Sequence, residues 1–175
     1  MRQLYYQIRF ALPVWFFMLF TAWLPDNRVT IRIRGVLVGF LLPGRPKGLT
    51  LGRDVTLLGI DRLNIGNNVY LAKGVWINAL GGMTIEDEVM LAPYVIAVTT
   101  KHLFKDGSVF LGGSEFASVR IGRGSWIAAH CTIVSGVTIG SGCMVAANSV
   151  VTRSTKDDVV VAGVPAKQIS SRNDP

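Results

Sequence analysis

The sequence has few of the residues that build disulfides or metal sites, and its longest uncharged apolar run is short for a membrane span. It contains two cysteines and two histidines among 175 residues. Cys131 and Cys143 lack the paired spacing of a metal site, so we expect buried free thiols, and nothing demands an oxidising compartment. The uncharged apolar stretch from Phe10 to Leu24 has 15 residues, whereas a membrane-spanning helix needs about 20.

Acidic residues are nearly missing from the first part of the chain. Residues 1–53 contain eight Lys or Arg against one acid, Asp26, which gives +7, while the remainder carries ten basic and ten acidic residues. This placement argues against a nucleic-acid partner and favours contact with an anionic membrane surface. Two apolar segments with basic flanks, 4–24 and 29–42, are typical of an interfacial anchor. The alternative is that both segments pack on the rest of the chain or on another subunit.

An aliphatic residue returns at every sixth position between Ile121 and Val151. A period of six fits neither an amphipathic helix nor a single strand. It predicts a parallel β-helix, in which each hexad forms a short strand and a corner, and three hexads form one coil. Residues 18 apart then stack, as Ile121 on Ile139. A compact residue four places after each aliphatic one also faces inward, at Ser125, Cys131, Val137, Cys143 and Ser149.

The repeat extends back to Leu51, with two-residue slips before Ile65 and Ile85. Residues 98–120 leave the pattern, and we expect a loop at 101–118 that is extruded from a corner, where function commonly resides. The predicted fold class is all-β. Residues 1–48 form one or two N-terminal helices, residues 49–169 form the β-helix, and residues 170–175 form a tail.

The last third of the chain carries specific motifs. They are W-I-x-A-x-x-x-I-x-x-G-V-T-I-G-x-G from Trp126, V-x-A-x-S-V-V-T from Val145, and A-G-V-P-A-K ending at Lys167. With the repeat over 51–169, these motifs resemble the hexapeptide-repeat O-acetyltransferases, which act on galactosides, maltose, serine and the units of capsule, exopolysaccharide and O-antigen. The resemblance implies a left-handed β-helix and a homotrimer with acetyl-CoA in the groove between subunits.

The same resemblance assigns the catalytic role to His102. The histidine stands in TTKH, at the family's position before the loop, and its imidazole can take a proton from a sugar hydroxyl as the oxygen attacks the thioester. Leu103 replaces the aspartate that often follows, so the group orienting the ring stays open between Asp106, Glu115 and a backbone carbonyl. The alternative is a solvated loop histidine.

Further roles are implied by the resemblance. Asn78 matches a residue that binds acceptor hydroxyls, and Trp126 matches one that flanks the pantetheine arm, so both are assigned to substrate binding. The alternative for Asn78 is a structural corner residue. His130 is expected to be structural. The predicted cofactor-binding residues are Ala129, Ala147, Thr152 and Lys167, of which Lys167 is alternatively a solvated lysine.

The expected function is direct acetyl transfer from acetyl-CoA to a sugar hydroxyl of a bacterial surface glycan, including lipid-linked units, without a metal. We expect a cytoplasmic homotrimer, peripheral on the inner face of the cytoplasmic membrane. The alternatives are acetylation of a small soluble sugar and a non-catalytic, membrane-docked scaffold. Zinc carbonic anhydrases share the scaffold but need three histidines, and this chain has two.

Overall fold

A computed structural model describes residues 2–172 of the chain. The N-terminal part is helical, as expected, with α1 (Arg2–Tyr6), a π-helical turn (Gln7–Ala11), α2 (Leu12–Thr21) and α3 (Thr30–Gly39). The π-helical turn ends at Ala11, two residues before Pro13, which has no N–H to donate into a regular helical ladder. Among residues 2–172, none of the helices combines the length and the apolar character that crossing a bilayer requires.

Short strands make up most of the remaining chain, and their pairing defines the β-helix. In chain order they are β1 (Thr50–Leu51), β2 (Thr56–Leu58), β3 (Leu63–Ile65), β4 (Tyr70–Leu71), β5 (Trp76–Asn78), β6 (Met83–Ile85), β7 (Met90–Leu91), β8 (Ile96–Val98), β9 (Thr100–His102), β10 (Ser114–Phe116), β11 (Val119–Ile121), β12 (Trp126–Ile127), β13 (Thr132–Ile133), β14 (Thr138–Ile139), β15 (Met144–Val145), β16 (Val150–Val151), β17 (Val159–Gly163) and β18 (Ala166–Ser171).

Three sheets form the sides of a triangular prism. Sheet A contains β1, β4, β7, β12, β15, β17 and β18; sheet B contains β2, β5, β8, β13 and β16; sheet C contains β3, β6, β11 and β14. All neighbours are parallel except β17 and β18. The predicted stacking is confirmed, because Ile121 lies opposite Ile139 and Ile127 opposite Val145. The first slip is also visible, since Leu51 pairs with Leu71, 20 residues away, and a 3-10 turn (Ile60–Arg62) takes up the extra residues.

The prism is filled by the predicted column of aliphatic and compact residues. All five compact positions are buried, including Cys131 and Cys143, which are free thiols. The corner between sheets A and B is closed by a column of residues with φ between 58° and 69°, at Asp54, Gly74, Tyr94, His130 and Asn148. A Cβ atom at position 74 would lie 2.5 Å from the ring of Tyr94, so any side chain there would force this ring to shift.

The N-terminal helices pack against the first coil. Gly35 of α3 approaches it so closely that a Cβ atom would clash with the carbonyl group of Leu49. Arg34 is 1% exposed and donates to Asp26 Oδ1 at 2.5 Å and to the carbonyl oxygens of Thr21 and Leu24 at 3.0 and 2.8 Å. One buried guanidinium therefore fixes α3 to the end of α2.

Two boundaries differ from the expected ones. The predicted loop at 101–118 is an antiparallel hairpin of β9 and β10, with a short helix α4 (Val109–Gly112) between them. The predicted start of the tail, residue 170, falls inside β18, which pairs with β17 and so continues sheet A. Residues 173–175 of that tail lie outside the described residues.

Candidate functional site

The hairpin leaves the corner between sheets B and C in the third coil. Its strands pair His102 with Ser114 and Lys101 with Glu115. Ser108 caps α4 by accepting a hydrogen bond from the amide of Phe110 at 3.2 Å. The excursion is thus an ordered arm with its own hydrogen bonds.

His102 is exposed on this arm, and Ser114 lies against its ring. Ser114 Oγ is 3.2 Å from His102 Nδ1, because directly paired residues of two strands project to the same face. When Nδ1 carries the proton, the Ser114 hydroxyl oxygen accepts a hydrogen bond from the Nδ1–H group, and Nε2 keeps a free lone pair. The side chain beside the ring is therefore Ser114 and not Asp106 or Glu115, the sequence-based candidates. Glu115 pairs instead with Lys101, so its side chain projects to the opposite face of the hairpin.

Asn78 fixes the root of the arm. It is buried at the end of β5, donates from Nδ2 to Thr100 Oγ1 at 3.1 Å, and accepts from the amide of Leu80 at 3.1 Å. Thr100 and His102 are two residues apart on β9 and share one face of that strand. The structure thus links Asn78 to the strand that carries His102. The predicted contact of Asn78 with acceptor hydroxyls stays a prediction.

A shallow pocket of about 380 Å³ opens beside the imidazole. It is lined by His102, Val109, Phe110, Gly113 and Ser114. Phe110 is 92% exposed, so a large aromatic face borders the pocket without a partner from within the described chain. The site therefore offers one ring nitrogen, one hydroxyl and an apolar wall.

Three of the four predicted cofactor residues flank sheet B in the last two coils. Ala129 and Ala147 occupy equivalent corner positions, and the amide of Asn148 donates to the carbonyl oxygen of Ala129 at 3.0 Å. Thr152 follows β16 and so lies at the other end of the strands of sheet B. The outward surface between the two strand ends is formed in part by Thr132 and Val150, which lie side by side.

Lys167, the fourth cofactor residue, lies next to Thr152. Both line a cavity of about 570 Å³ in the last coil, which Arg153 and Lys156 also line. The sequence-based assignment did not include these two cations. They lie in the polar turn after Val151, and only the hairpin of β17 and β18 brings Lys167 beside them. Three basic side chains around one cavity can bind an anionic group.

Trp126 is not brought to His102 within one copy of the chain. It projects from sheet A between Met90 and Met144 and is 46% exposed. His102 leaves the prism at a different corner, one coil earlier. The predicted site residues therefore form two groups, one around His102 and one around the last two coils, with Trp126 on a separate face.

The remaining candidate groups have structural surroundings. His130 stacks on Tyr94 with ring centroids 5.1 Å apart. Burial raises the pKa of the Cys131 thiol, which disfavours its thiolate. Within residues 2–172, no three His, Cys, Asp or Glu side chains are grouped so that they could hold a metal ion.

Comparison with known proteins places these features in context. Residues 118–153 match the family model described as bacterial transferase hexapeptide (six repeats). The galactoside O-acetyltransferase of Escherichia coli K12 is 35% identical over 119 residues, which are 65% of this chain and 56% of that protein. A putative lipopolysaccharide biosynthesis O-acetyl transferase of the same organism is 32% identical over 132 residues, 70% of this chain and 67% of that one. The chain thus spans little more than half of the first relative's length.

Solved structures share the fold. A maltose O-acetyltransferase from Clostridium difficile 630 superposes with a TM-score of 0.78 at 23% identity, covering 90% of this chain and 83% of that one. A galactoside acetyltransferase in complex with coenzyme A gives a TM-score of 0.70 at 26% identity, over 93% and 80% of the two chains. The left-handed parallel β-helix that the motifs predicted is thereby confirmed.

Proposed function

Because the chain belongs to the hexapeptide-repeat acetyltransferases, we propose that it transfers acetyl from acetyl-CoA to a sugar hydroxyl, with His102 as general base. The observation that carries this proposal is the exposed imidazole held by Ser114 beside an apolar pocket. The geometry leaves Nε2 available when the Nδ1 proton is directed at Ser114. A base in this role contributes about 10²–10⁴ in rate.

The proposed step is direct. The acceptor hydroxyl gives its proton to Nε2 of His102 while its oxygen attacks the thioester carbonyl carbon. The C–S bond then breaks, and the CoA thiolate takes up the proton from the imidazolium. Cys131 and Cys143 are buried and so are poor candidates for an acetyl-enzyme. The sequence suggested no serine beside a base, whereas the structure places Ser114 beside His102; in the proposed step Ser114 orients the ring and carries no acetyl group.

Acetyl-CoA would lie along the last two coils. Its phosphates match the cations of the cavity that contains Lys167, Arg153 and Lys156. The small side chains of Ala129 and Ala147 leave the backbone open to the thin pantetheine arm. No metal is required by the proposed step.

A homotrimer would complete this site. The outward side chains of sheets A and B are largely apolar, and those of sheet C are polar. In a threefold ring each copy contacts two neighbours through two different faces, so sheet A of one copy can pack on sheet B of the next. Trp126 would then approach the neighbour's site, which explains its distance from His102 within one copy. The outward ladders are Thr50, Tyr70, Met90, Trp126, Met144 and Val160 on sheet A, Thr56, Trp76, Ile96, Thr132 and Val150 on sheet B, and Asn64, Thr84, Arg120 and Thr138 on sheet C.

The proposed acceptor is a sugar of a bacterial surface glycan, including lipid-linked units. Two relatives whose names refer to galactosides and to lipopolysaccharide biosynthesis support a sugar acceptor. The exposed rings of Phe104 and Phe110 on the arm could stack on sugar faces. Acetylation of a small soluble sugar is the second candidate, and the galactoside relative favours it.

Competition between acceptors distinguishes these candidates. Purified protein receives labelled acetyl-CoA together with lipid-linked oligosaccharide and free sugars, and the labelled products are separated. An alkali-labile ester on the oligosaccharide supports the proposal. Label chiefly on free monosaccharides would favour the soluble-sugar enzyme. An alkali-stable amide product would show that the acceptor group is an amine and not a hydroxyl. Absence of CoA release with every acceptor would leave only the non-catalytic scaffold.

A further inference from the structure

The first helical segment has an apolar outer face along its whole length. Six large side chains at spacings of three and four residues are each more than half exposed, which places them on one side of the helix. The opposite side packs on the core through Tyr6, Phe10, Val14 and Met18. One face is therefore used for folding, and the other remains free, at Leu4, Ile8, Leu12, Trp15 and Leu19 and at Trp23 just beyond α2. The exposed rings of Tyr5, Phe16 and Phe20 widen this face.

Helix α3 continues this surface. Val29, Ile33, Val36 and Phe40 are exposed and again follow a spacing of three or four residues. Val29, Ile33 and Val36 line a shallow groove of about 360 Å³, and Arg32 lies at its border. We call the two exposed stripes together the outer helical face. Soluble monomers rarely expose a continuous apolar surface of this extent without a partner.

The outer helical face is held rigidly. The hydrogen bonds of Arg34 join α2 to α3, and Asp26 also accepts from the amide of Arg53 in the first coil at 3.1 Å. The hydroxyl of Tyr6 accepts from the amide of Gly59 at 3.0 Å. Both helices are thus attached to the prism, and their exposed stripes are part of the folded structure.

Charge identifies the partner. Residues 1–53 contain one acid, Asp26, and its carboxylate is bonded to Arg34. The exposed residues Arg28 and Arg32 border the apolar stripe of α3. A second copy placed on this face would bring like charges together. An anionic bilayer offers phosphates to the arginines and acyl chains to the tryptophans and leucines.

We propose that the outer helical face docks the protein peripherally on an anionic membrane surface, with its helices lying in the interface. If the proposed function holds, this surface is the inner face of the cytoplasmic membrane, where acetyl-CoA and lipid-linked acceptors meet. The docking itself depends only on the N-terminal segment and does not require catalysis.

Flotation with vesicles tests the docking without acetyl-CoA. Full-length protein should float with vesicles containing phosphatidylglycerol and much less with pure phosphatidylcholine. Arg28→Glu/Arg32→Glu should weaken binding by at least about 100-fold. The matched control Arg153→Glu/Lys156→Glu changes the net charge equally at the far end of the prism and should bind as the parent does.

Aromatic variants test the apolar part of the face. Trp15→Gln/Phe20→Gln should lose flotation, whereas Phe104→Gln/Phe110→Gln, with equivalent changes on the arm, should retain it. All four side chains are exposed, so the fold should tolerate the changes, and circular dichroism checks this. Vesicles with brominated acyl chains should quench the fluorescence of the parent, and Trp15→Phe/Trp23→Phe should lose that quenching.

Three results would overturn the proposal. One is the failure of full-length protein to float with anionic vesicles, and another is loss of flotation only in the arm variants. The third is a change of oligomeric state in Trp15→Gln/Phe20→Gln without lipid, measured by sedimentation, which would make this face an interface between copies. Acetyl transfer is measured separately, so its failure would affect the proposed function alone.

Discussion

Replacement of Ser114 by alanine separates two roles that its hydroxyl could have beside His102. As a positioning residue, Ser114 accepts a hydrogen bond from the Nδ1–H group and orients the ring, while the acceptor sugar attacks acetyl-CoA directly. As a nucleophile, it would itself carry the acetyl group. The 3.2 Å separation from Nδ1 is compatible with either role, but the expected losses of rate differ greatly.

The size of the loss follows from the surroundings of the pair. Both side chains are exposed, so water can replace the lost hydroxyl, and a hydrogen bond of this kind contributes about 0.5–1.5 kcal/mol net. The positioning role therefore predicts a fall in kcat of about 2- to 13-fold. Loss of a covalent nucleophile would lower kcat by about 10⁴-fold or more.

The assay is steady-state release of CoA thiol with a saturating sugar acceptor, giving kcat and KM. Ser114→Thr keeps the hydroxyl and should recover much of the rate, while Ser118→Ala makes the same chemical change at the end of the arm and should have little effect. KM for acetyl-CoA should stay near that of the parent in all three. Loss of all activity in Ser114→Ala, with ping-pong kinetics in the parent, would refute direct transfer.

Three further predictions concern the rest of the chain. Arg34→Met should destabilise the N-terminal helices by about 2–4 kcal/mol, moderated because the Asp26 side chain is 27% exposed; faster amide exchange in α2 and α3 with an unchanged prism would show it. Because burial raises the pKa of Cys131, its alkylation should be slow at pH 8, faster at higher pH, and complete only after unfolding; rapid labelling of folded protein would contradict this. Arg153→Gln/Lys156→Gln should raise KM for acetyl-CoA by about 10-fold or more with little change in kcat, and equal affinity in a direct CoA titration would remove this cavity from the cofactor site.

The prism could be predicted from the sequence because the pattern that produces it is short and is repeated in every hexad. Each inward aliphatic residue, such as Ile121, is dictated by the six-residue period, and the same period fixes its partner Ile139. The arm interrupts that period, so its position was visible as well. Its internal hairpin was not, because β9 and β10 are largely exposed and carry no alternation towards a core. Ser114, whose position depends on that pairing, was therefore missed.

The N-terminal segment shows another limit of the sequence pattern. The sequence pattern offers two alternatives for the N-terminal segments, a membrane anchor or packing on the prism. In the structure the helices pack on the prism with one face and expose the other. Both faces are apolar, so hydrophobic periodicity could not separate them. Trp126 is a similar case, since the repeat assigns it to an outward position but does not say what it contacts there.

The most direct test of the central claim compares the parent protein with His102→Gln in acetyl transfer from labelled acetyl-CoA to a sugar. Glutamine preserves much of the size and polarity of the side chain, and sedimentation and CoA titration should show an unchanged assembly and cofactor affinity. The proposal predicts an alkali-labile sugar ester formed by the parent and a rate about 10²–10⁴ lower in the variant. Turnover of His102→Gln close to that of the parent would contradict the assignment of His102 as the base.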